Sequence, residues 1–469
     1  MNHPESNLNQ TPAVEIRFER GTLLVSCRQY PELAQIFTWL RWDSRSGYFR
    51  CHAYRYYELI RHLYLSRIDY SDSTPNYNTL KLSLKSSFTP FDFQADALNA
   101  WSLSKRGIAV LPTGTGKSYL SAMMIEKIQR STLILAPTID LILQWQKNLE
   151  EWFQCPIGLL GGGSSEIEDL TVSTYDSARI YAENLGNRFC LIIFDECHHL
   201  PSPAYSLMAQ SYIAPYRLGL TATPSIEPER QQLLHDLIGP VVYSRQIQQL
   251  SGDFLAPYQI QTIEVELTDD ERQQYDHHRG IYQAFRDKVP NLFGRKNSWE
   301  KFVMYSYRSA EGRAALQSFA TQKQISLSAE NKMAELTRIL LRHNHSRILI
   351  FTNDNKTAYF ISALFLLPLI THETKAKERK TILENFRSGE WPFLVNSRVL
   401  NEGVDVPEAN IAVVISGTST VREHVQRLGR ILRKQEGKTA ILYEIITTGT
   451  GEIYTSRRRR EHSAYDDVS

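Results

Sequence analysis

The chain has 469 residues, 42% hydrophobic and 22% charged, which suits about three domains with ordinary globular cores. Lys and Arg number 53 against 51 Asp and Glu, and the formal charge of +2 excludes a polycation that coats nucleic acid, although a local basic track remains open. Five cysteines without a CxxC pair argue against a disulfide framework, a structural zinc site or an iron–sulfur cluster, and no apolar stretch reaches bilayer-spanning length.

The N-terminus, MNHPESNLNQTP, is polar and lacks a secretory pattern, so the expected compartment is a reducing one, most simply the cytoplasm. An opening unit is expected over residues 1–75. It begins with two short β-type runs split by Arg20-Gly21, a hairpin signal. PELAQIFTWLRWD and YRYYELIRHLYLSR follow, both with apolar residues at helical spacing. In the second, Tyr57, Ile60, Leu63 and Tyr64 are expected on one face. Tyr54, Arg55, Tyr56 and Arg61 offer rings and charge to a nucleic acid, although such rows are more often core plus a solvated face. SDSTPNYN then reads as a polar linker.

The next span, 76–250, changes character. Short apolar runs at Ile108–Leu111, Thr132–Leu135, Thr171–Ser173, Leu191–Phe194 and Leu218–Thr221 alternate with helical stretches, which predicts a parallel α/β sheet. A second such series, Ile348–Thr352, Phe393–Asn396, Ile411–Ser416 and Ile441–Ile446, predicts another lobe within 251–469. Residues 268–328 lack strand signals, and Thr268-Asp-Asp-Glu271 forms a capping box, so a helical insertion is expected there.

Chemistry concentrates at the strand ends. The loop Pro112, Thr113, Gly114, Thr115 and Gly116, followed by Lys117 and Ser118, lies between an apolar strand and a helix. Glycine backbone there can close around phosphate oxygens at a helix N-terminus. Lys117 is placed to reach the β- and γ-phosphates, and Ser118 to ligate Mg²⁺. Leu111 stands where the full motif has Gly. Asp195-Glu196-Cys197-His198 ends the strand LIIF, with Asp195 suited to the Mg²⁺ shell and Glu196 to activating water. His198, Thr221 and Thr223 are candidates for linking this site to a neighbouring groove. Gln426, Arg430 and Arg433 recur at helical spacing around Gly429, and the two arginines are candidate fingers for a γ-phosphate.

Taken in order, GTGKS, DECH, TAT, NEGVDVP and QRLGRILR resemble superfamily 2 helicases over nearly all of residues 91–433. ERGTLLV, WDSRSGYFR, TVSTYDSA, NRFCLIIFDECHHLP, APYRLGLTAT and TGTGEIYTSRRR narrow the likeness to the XPB DNA-repair helicase family, especially its archaeal and bacterial types. The resemblance implies two RecA-like parallel-sheet motor lobes, a small N-terminal α+β damage-recognition domain and a helical thumb. It also implies a 3′-to-5′ helicase or translocase that uses ATP and Mg²⁺ on single-stranded or forked DNA, acting as a monomer in repair, off the membrane. A separately encoded structure-specific nuclease is the implied partner.

By the same resemblance, Phe93 and Gln94 recognise adenine, and Gly403 and Asp405 contribute to the nucleotide site. Pro137, Thr138, Gly161, Gly162, Ser173, Thr174, Thr352 and Ser397 line the nucleic-acid track. The family's Arg-Glu-Asp element is only partly matched in TATPSIEPERQ, where Glu227 stands without the flanking Arg and Asp. That departure favours translocation over strong unwinding, and leaves a duplex translocase and an RNA helicase as alternatives.

Overall fold

The computed structural model describes residues 12–85, 89–223, 227–250, 254, 256–290, 298–397, 409–416, 440–454 and 456. Two compact units are present. The first comprises residues up to Arg245 other than Thr113–Thr115, and the second those three residues and the residues from Gln246 onward.

The first unit opens with β1 (Val14–Glu19), β2 (Thr22–Ser26), α1 (Leu33–Ile36), β3 (Arg41–Asp43), β4 (Tyr48–His52), α2 (Tyr56–Leu65) and β5 (Tyr70–Asp72). The sheet order is β3-β4-β2-β1-β5. Arg20 and Gly21 both take positive φ, 45° and 78°, which is the geometry a two-residue hairpin turn demands.

Two local expectations are corrected here. PELAQIFTWLRWD holds only one helical turn before the chain enters β3. Asp43 ends that strand, and its Oδ1 accepts from the Arg45 amide at 3.1 Å, so turn chemistry overrides the helical spacing. In α2 the buried residues are Tyr56, Leu59 and Leu63, whereas Tyr64 is exposed. Tyr56 is core, its hydroxyl donating to Asp72 at 2.6 Å, so it offers no ring for stacking.

The polar linker is a strap. Asn76 N donates to Asn187 O, and Asn187 Nδ2 returns a bond to Thr74 O. Asn78 Nδ2 reaches Asp169, and Gln129 brackets Leu82 with its side-chain amide. Ile213 completes the opening domain's core cluster, so both parts of the unit share apolar packing.

Beyond the strap come α3 (Asp92–Ser102), β6 (Arg106–Val110), α4 (Lys117–Ile128), β7 (Thr132–Ala136), α5 (Ile139–Phe153), β8 (Gly158–Gly161) and β9 (Ser164–Ser165). The unit finishes with β10 (Leu170–Thr174), α6 (Tyr175–Leu185), β11 (Leu191–Phe194), α7 (Pro203–Gln210), β12 (Tyr216–Thr221), α8 (Pro228–Leu237) and β13 (Val241–Ser244). Their sheet runs β13-β6-β12-β11-β7-β10-β8-β9, parallel except at the short β8–β9 pair. Every residue of β7 and β11 is buried, as expected for strands covered on both faces.

In the second unit the elements are α9 (Ile247–Leu250), β14 (Tyr258–Val265), α10 (Asp269–Lys288), α11 (Ser298–Ser306), α12 (Ala310–Leu327), α13 (Glu330–Arg342) and β15 (Ile348–Thr352). They continue with α14 (Asn355–Phe365), β16 (Leu369–Ile370), α15 (Ala376–Ser388), β17 (Phe393–Ser397), β18 (Ile411–Val414) and β19 (Ala440–Thr447). The sheet, all parallel, has the order β14-β19-β18-β15-β17-β16. Helix α10 starts at the expected capping box, Thr268 N donating to Glu271 at 3.0 Å and Glu271 N to Thr268 at 3.4 Å. Among the described residues no helix is long and apolar enough to cross a membrane.

Candidate functional site

Parallel strands deliver their carboxyl ends to one edge of a sheet, and that edge is where α/β proteins build sites. In the first unit the edge divides in two. Strands β6, β12 and β11 end at the phosphate-type loop, at Thr221 and at Asp195. Their neighbours β7, β10 and β8 end at Pro137-Thr138, at Ser173-Thr174 and at Gly161-Gly162.

On the first half, Gly114 and Gly116 hold φ at 87° and 74°, turning the chain tightly into α4. The first amides of any helix lack intrahelical acceptors, so this end offers donors and partial positive charge. Lys117 Nζ folds back onto Leu111 O at 3.3 Å. Pro112 and Thr115 are buried, Gly114 exposed, and Thr113 and Ser118 half-buried. Phe93 and Gln94 are both buried in α3; Gln94 Oε1 accepts from Phe91 N at 3.1 Å, and its Nε2 donates to Gly116 O at 3.4 Å. This brings the expected adenine element onto the phosphate loop. The turn, the helix end and the lysine suit a nucleoside polyphosphate.

Asp195 is buried, and its two carboxylate oxygens have different donors. Oδ2 accepts from Trp145 Nε1 at 2.8 Å, and Oδ1 from the Glu196 amide at 3.0 Å. Burial, reinforced by the adjacent Glu196 charge, pushes this carboxyl up to about 6 against the opposing pull of Lys117 and the two N–H donors. The Ser118 hydroxyl and the Asp195 carboxylate are oxygen donors of the kind Mg²⁺ takes. Glu196 sits in left-handed backbone, φ 49°, at the strand-to-turn transition. His198 Nδ1 is 3.3 Å from Glu196 Oε2 and 3.3 Å from Thr221 Oγ1. Thr221 Oγ1 in turn donates to Thr223 O at 2.9 Å. The three expected coupling residues therefore form one hydrogen-bonded chain. Burial raises the Cys197 thiol, which leaves it a protonated core residue.

The second half-edge holds together as a surface. A Cβ on Gly161 would lie 3.0 Å from Thr174 Cγ2 and 3.1 Å from Ile142 Cδ1, and one on Gly162 would lie 3.1 Å from Ile139 Cγ2. Thr138 and Thr174 cap α5 and α6, accepting from Leu141 N at 3.3 Å and Ser177 N at 3.1 Å. Ser173 is buried, its hydroxyl donating to Thr174 O.

In the second unit Thr352 and Ser397 end adjacent strands. Both are buried, with Thr352 Oγ1 bonded to Asp354 O at 3.2 Å and Ser397 Oγ to Asn355 Oδ1 at 2.7 Å. Their hydroxyls serve the lobe's own loops. Gly403, Asp405, Gln426, Arg430 and Arg433 lie outside the described residues. Glu227 stands at the N-cap position of α8, its side chain in an exposed pair with Arg230 at 2.9 Å rather than on the helix amides. Among the described residues no cluster of three His, Cys, Asp or Glu gathers as a metal site. Sequence reasoning missed Trp145 and Tyr175, whose polar tips reach Asp195; a ring on an amphipathic helix looks like plain core.

Three family models match the chain. Residues 16–74 match the Xeroderma pigmentosum group B helicase damage recognition domain, 87–226 the res subunit of type III restriction enzymes, and 331–435 the helicase conserved C-terminal domain. The DNA 3′-5′ translocase XPB2 of Sulfurisphaera tokodaii is 39% identical over 429 residues, covering 90% of this chain and 96% of that protein. The DNA 3′-5′ helicase XPB of Mycobacterium tuberculosis is 30% identical over 79% of this chain, which spans 63% of that protein. The crystal structure of the Pyrococcus furiosus Hef helicase domain matches with a TM-score of 0.50 at 21% identity, over 79% of this chain and 98% of that one. This last likeness concerns fold alone.

Proposed function

The chain belongs to the XPB family of superfamily 2 helicases, and from that membership we propose that it is an ATP-dependent 3′-to-5′ DNA translocase and helicase of genome maintenance, working in the cytoplasm. The observation that carries this reading is the divided sheet edge, with nucleotide chemistry on β6, β12 and β11 and an open, small-residue surface on β7, β10 and β8. Small residues and helix caps suit phosphate contacts, which position a strand without reading its bases.

Bound ATP with Mg²⁺ supplies the transferable γ-phosphoryl group. Around it Lys117 neutralises phosphate charge, Ser118 and Asp195 hold the cation's shell, and Glu196 orients water and takes its proton. Gln94 sets the phosphate loop against α3 while reading adenine. His198, Thr221 and Thr223 relay the state of Glu196 to the sheet edge. Arg430 and Arg433 are the proposed transition-state guanidinium groups, Gln426 a further proposed catalytic residue, and Gly403 and Asp405 proposed nucleotide contacts. Pro137, Thr138, Gly161, Gly162 and Thr174 follow the DNA backbone, while Ser173, Thr352 and Ser397, buried and bonded within their own loops, hold the loops that face it. The protein acts as a monomer with a separate structure-specific nuclease.

A second reading, duplex translocation without strand separation, is favoured by one observation. Glu227, the remaining member of the strand-separating element, is held by Arg230 on an exposed helix start.

The test is ATP hydrolysis measured with single-stranded DNA, forked DNA, blunt duplex and RNA, alongside fork unwinding and triplex displacement. Stimulation of tenfold or more by DNA and little by RNA is expected. Equal stimulation by RNA overturns the DNA assignment; triplex displacement without fork opening selects the second reading.

A further inference from the structure

Two aromatic side chains connect the proposed nucleic-acid surface to Asp195. Helix α5 begins at the Thr138 cap, on the surface. Seven residues further in, about 10 Å along the axis at 1.5 Å per residue, Trp145 gives its indole N–H to Asp195 Oδ2 at 2.8 Å. Helix α6 begins at the Thr174 cap, also on the surface, and its first residue, Tyr175, donates its hydroxyl to Asp195 O at 2.9 Å. Trp145 is 2% and Tyr175 1% exposed. Both bonds therefore lie in a water-poor interior, where a donor fixes its acceptor more strongly than at the surface.

The surrounding geometry makes these connections stiff. Asp195 N donates to Leu135 O at 2.8 Å, joining the residue to β7, the strand that leads directly into Pro137-Thr138. A Cβ on Gly161 would lie 3.1 Å from Ile142 Cδ1 of α5 and 3.0 Å from Thr174 Cγ2, so this loop backbone sits close against the first turn of α5 and the cap of α6. Phenylalanine would fill the Tyr175 position, and an apolar ring would serve the packing at Trp145. The N–H and O–H groups are what aim at this residue, one fixing the carboxylate plane and the other the main chain beneath it.

We infer that Trp145 and Tyr175 are positioning residues that convey occupancy of the DNA surface to the nucleotide site by setting the orientation of Asp195. The inference rests on the proposed function, because it takes Asp195 as the cation-shell carboxylate and the Thr138 and Thr174 loops as DNA contacts.

Tyr175→Phe keeps the ring and removes the hydroxyl donor; Trp145→Phe removes the N–H donor together with part of the indole volume, a packing cost that the thermal midpoint reports separately. In the full chain, ATP turnover is measured with and without single-stranded DNA, together with DNA affinity, the Mg²⁺ concentration giving half-maximal rate, and the thermal midpoint. Either variant is expected to lower the ratio of stimulated to unstimulated turnover severalfold and to raise the half-saturating Mg²⁺ severalfold, with DNA affinity within threefold of wild type. The double variant is expected to lose the response to DNA. If both rates fall in step and leave the ratio at its wild-type value, the residues merely support the site and the inference is wrong. A parallel loss of DNA affinity also overturns it, because the residues then shape the surface rather than Asp195. A wild-type protein that DNA does not stimulate overturns the proposed function itself, a result distinct from either. Trp145→Phe alone decides the matter should the hydroxyl-free variant fail to fold.

Discussion

Gln94 and Gly116 meet in a close contact: the glutamine amide donates to the glycine carbonyl at 3.4 Å, and a Cβ on that glycine would lie 2.7 Å from Gln94 Nε2. Gly116 also holds φ at 74°, a region that costs an L-residue about 1–2 kcal/mol. Gly116→Ala is therefore expected to weaken binding of a labelled ATP analogue about tenfold or more. Adding Gln94→Ala removes the clash but also the adenine contact proposed for Gln94, so affinity is expected to stay below wild type. Unchanged affinity in the single variant would contradict the tight-loop account.

Arg217 is fully buried in β12, away from the water that ordinarily solvates a guanidinium. Its guanidinium instead donates to four main-chain carbonyls, Ala209, Tyr212, Ala214 and Leu237, at 2.6 to 3.1 Å. These acceptors lie at or near the ends of α7 and α8, so one side chain ties both helices to the sheet. Arg217→Met leaves them unpaired, an expected loss of about 3 kcal/mol. The thermal midpoint should fall by roughly 6–12 °C. A drop under 2 °C would show that the helix ends find other donors.

The opening domain carries a pH-dependent element. Burial tends to raise the Asp43 carboxyl, but the Arg45 amide, Arg50, Ser46 and the Arg45 side chain prevail and hold it from its ordinary 3.8 down to about 2. A carboxyl depressed on folding stabilises the fold above its unfolded value and loses that contribution as pH falls through its folded value. Asp43→Asn should therefore be less stable than wild type from neutral pH down to about 5. The gap should narrow below about 4 and close near 2. Thermal unfolding across that range checks the sign; a gap that widens towards acid would refute it.

Much of this fold was legible because buried parallel strands announce themselves. Thr132–Ala136 and Leu191–Phe194 are apolar runs buried on both faces, and the motif loops follow them directly. Strand β14 was not legible, because among the described residues it pairs only with β19 at the sheet edge and its residues are exposed or half-buried. Helix α2 misled for the opposite reason. Tyr56, Tyr57, Leu59, Ile60, Leu63 and Tyr64 surround it with apolar groups, so spacing cannot choose the inward face, and the observed face includes Tyr56 and Leu59 rather than Tyr57 and Ile60. The strap from Thr74 to Lys85 looked like a linker because its polar side chains and amides bond to partners distant in sequence. At the site, the phosphate loop, DECH and TAT were readable as local patterns. The bonds from Trp145 and Tyr175 to Asp195 span 50 and 20 residues, a relation that no local pattern carries.

The most direct test compares DNA-stimulated ATP hydrolysis by wild type and Lys117→Ala, with DNA affinity measured on the same preparations. Lys117 Nζ lies at the phosphate loop, on Leu111 O at 3.3 Å, on the nucleotide half of the sheet edge. Turnover is predicted to fall about a hundredfold or more, as expected when a transition-state charge partner is removed, while DNA affinity stays within about threefold. Normal turnover in the variant would contradict the assignment of the nucleotide site and the motor function built on it.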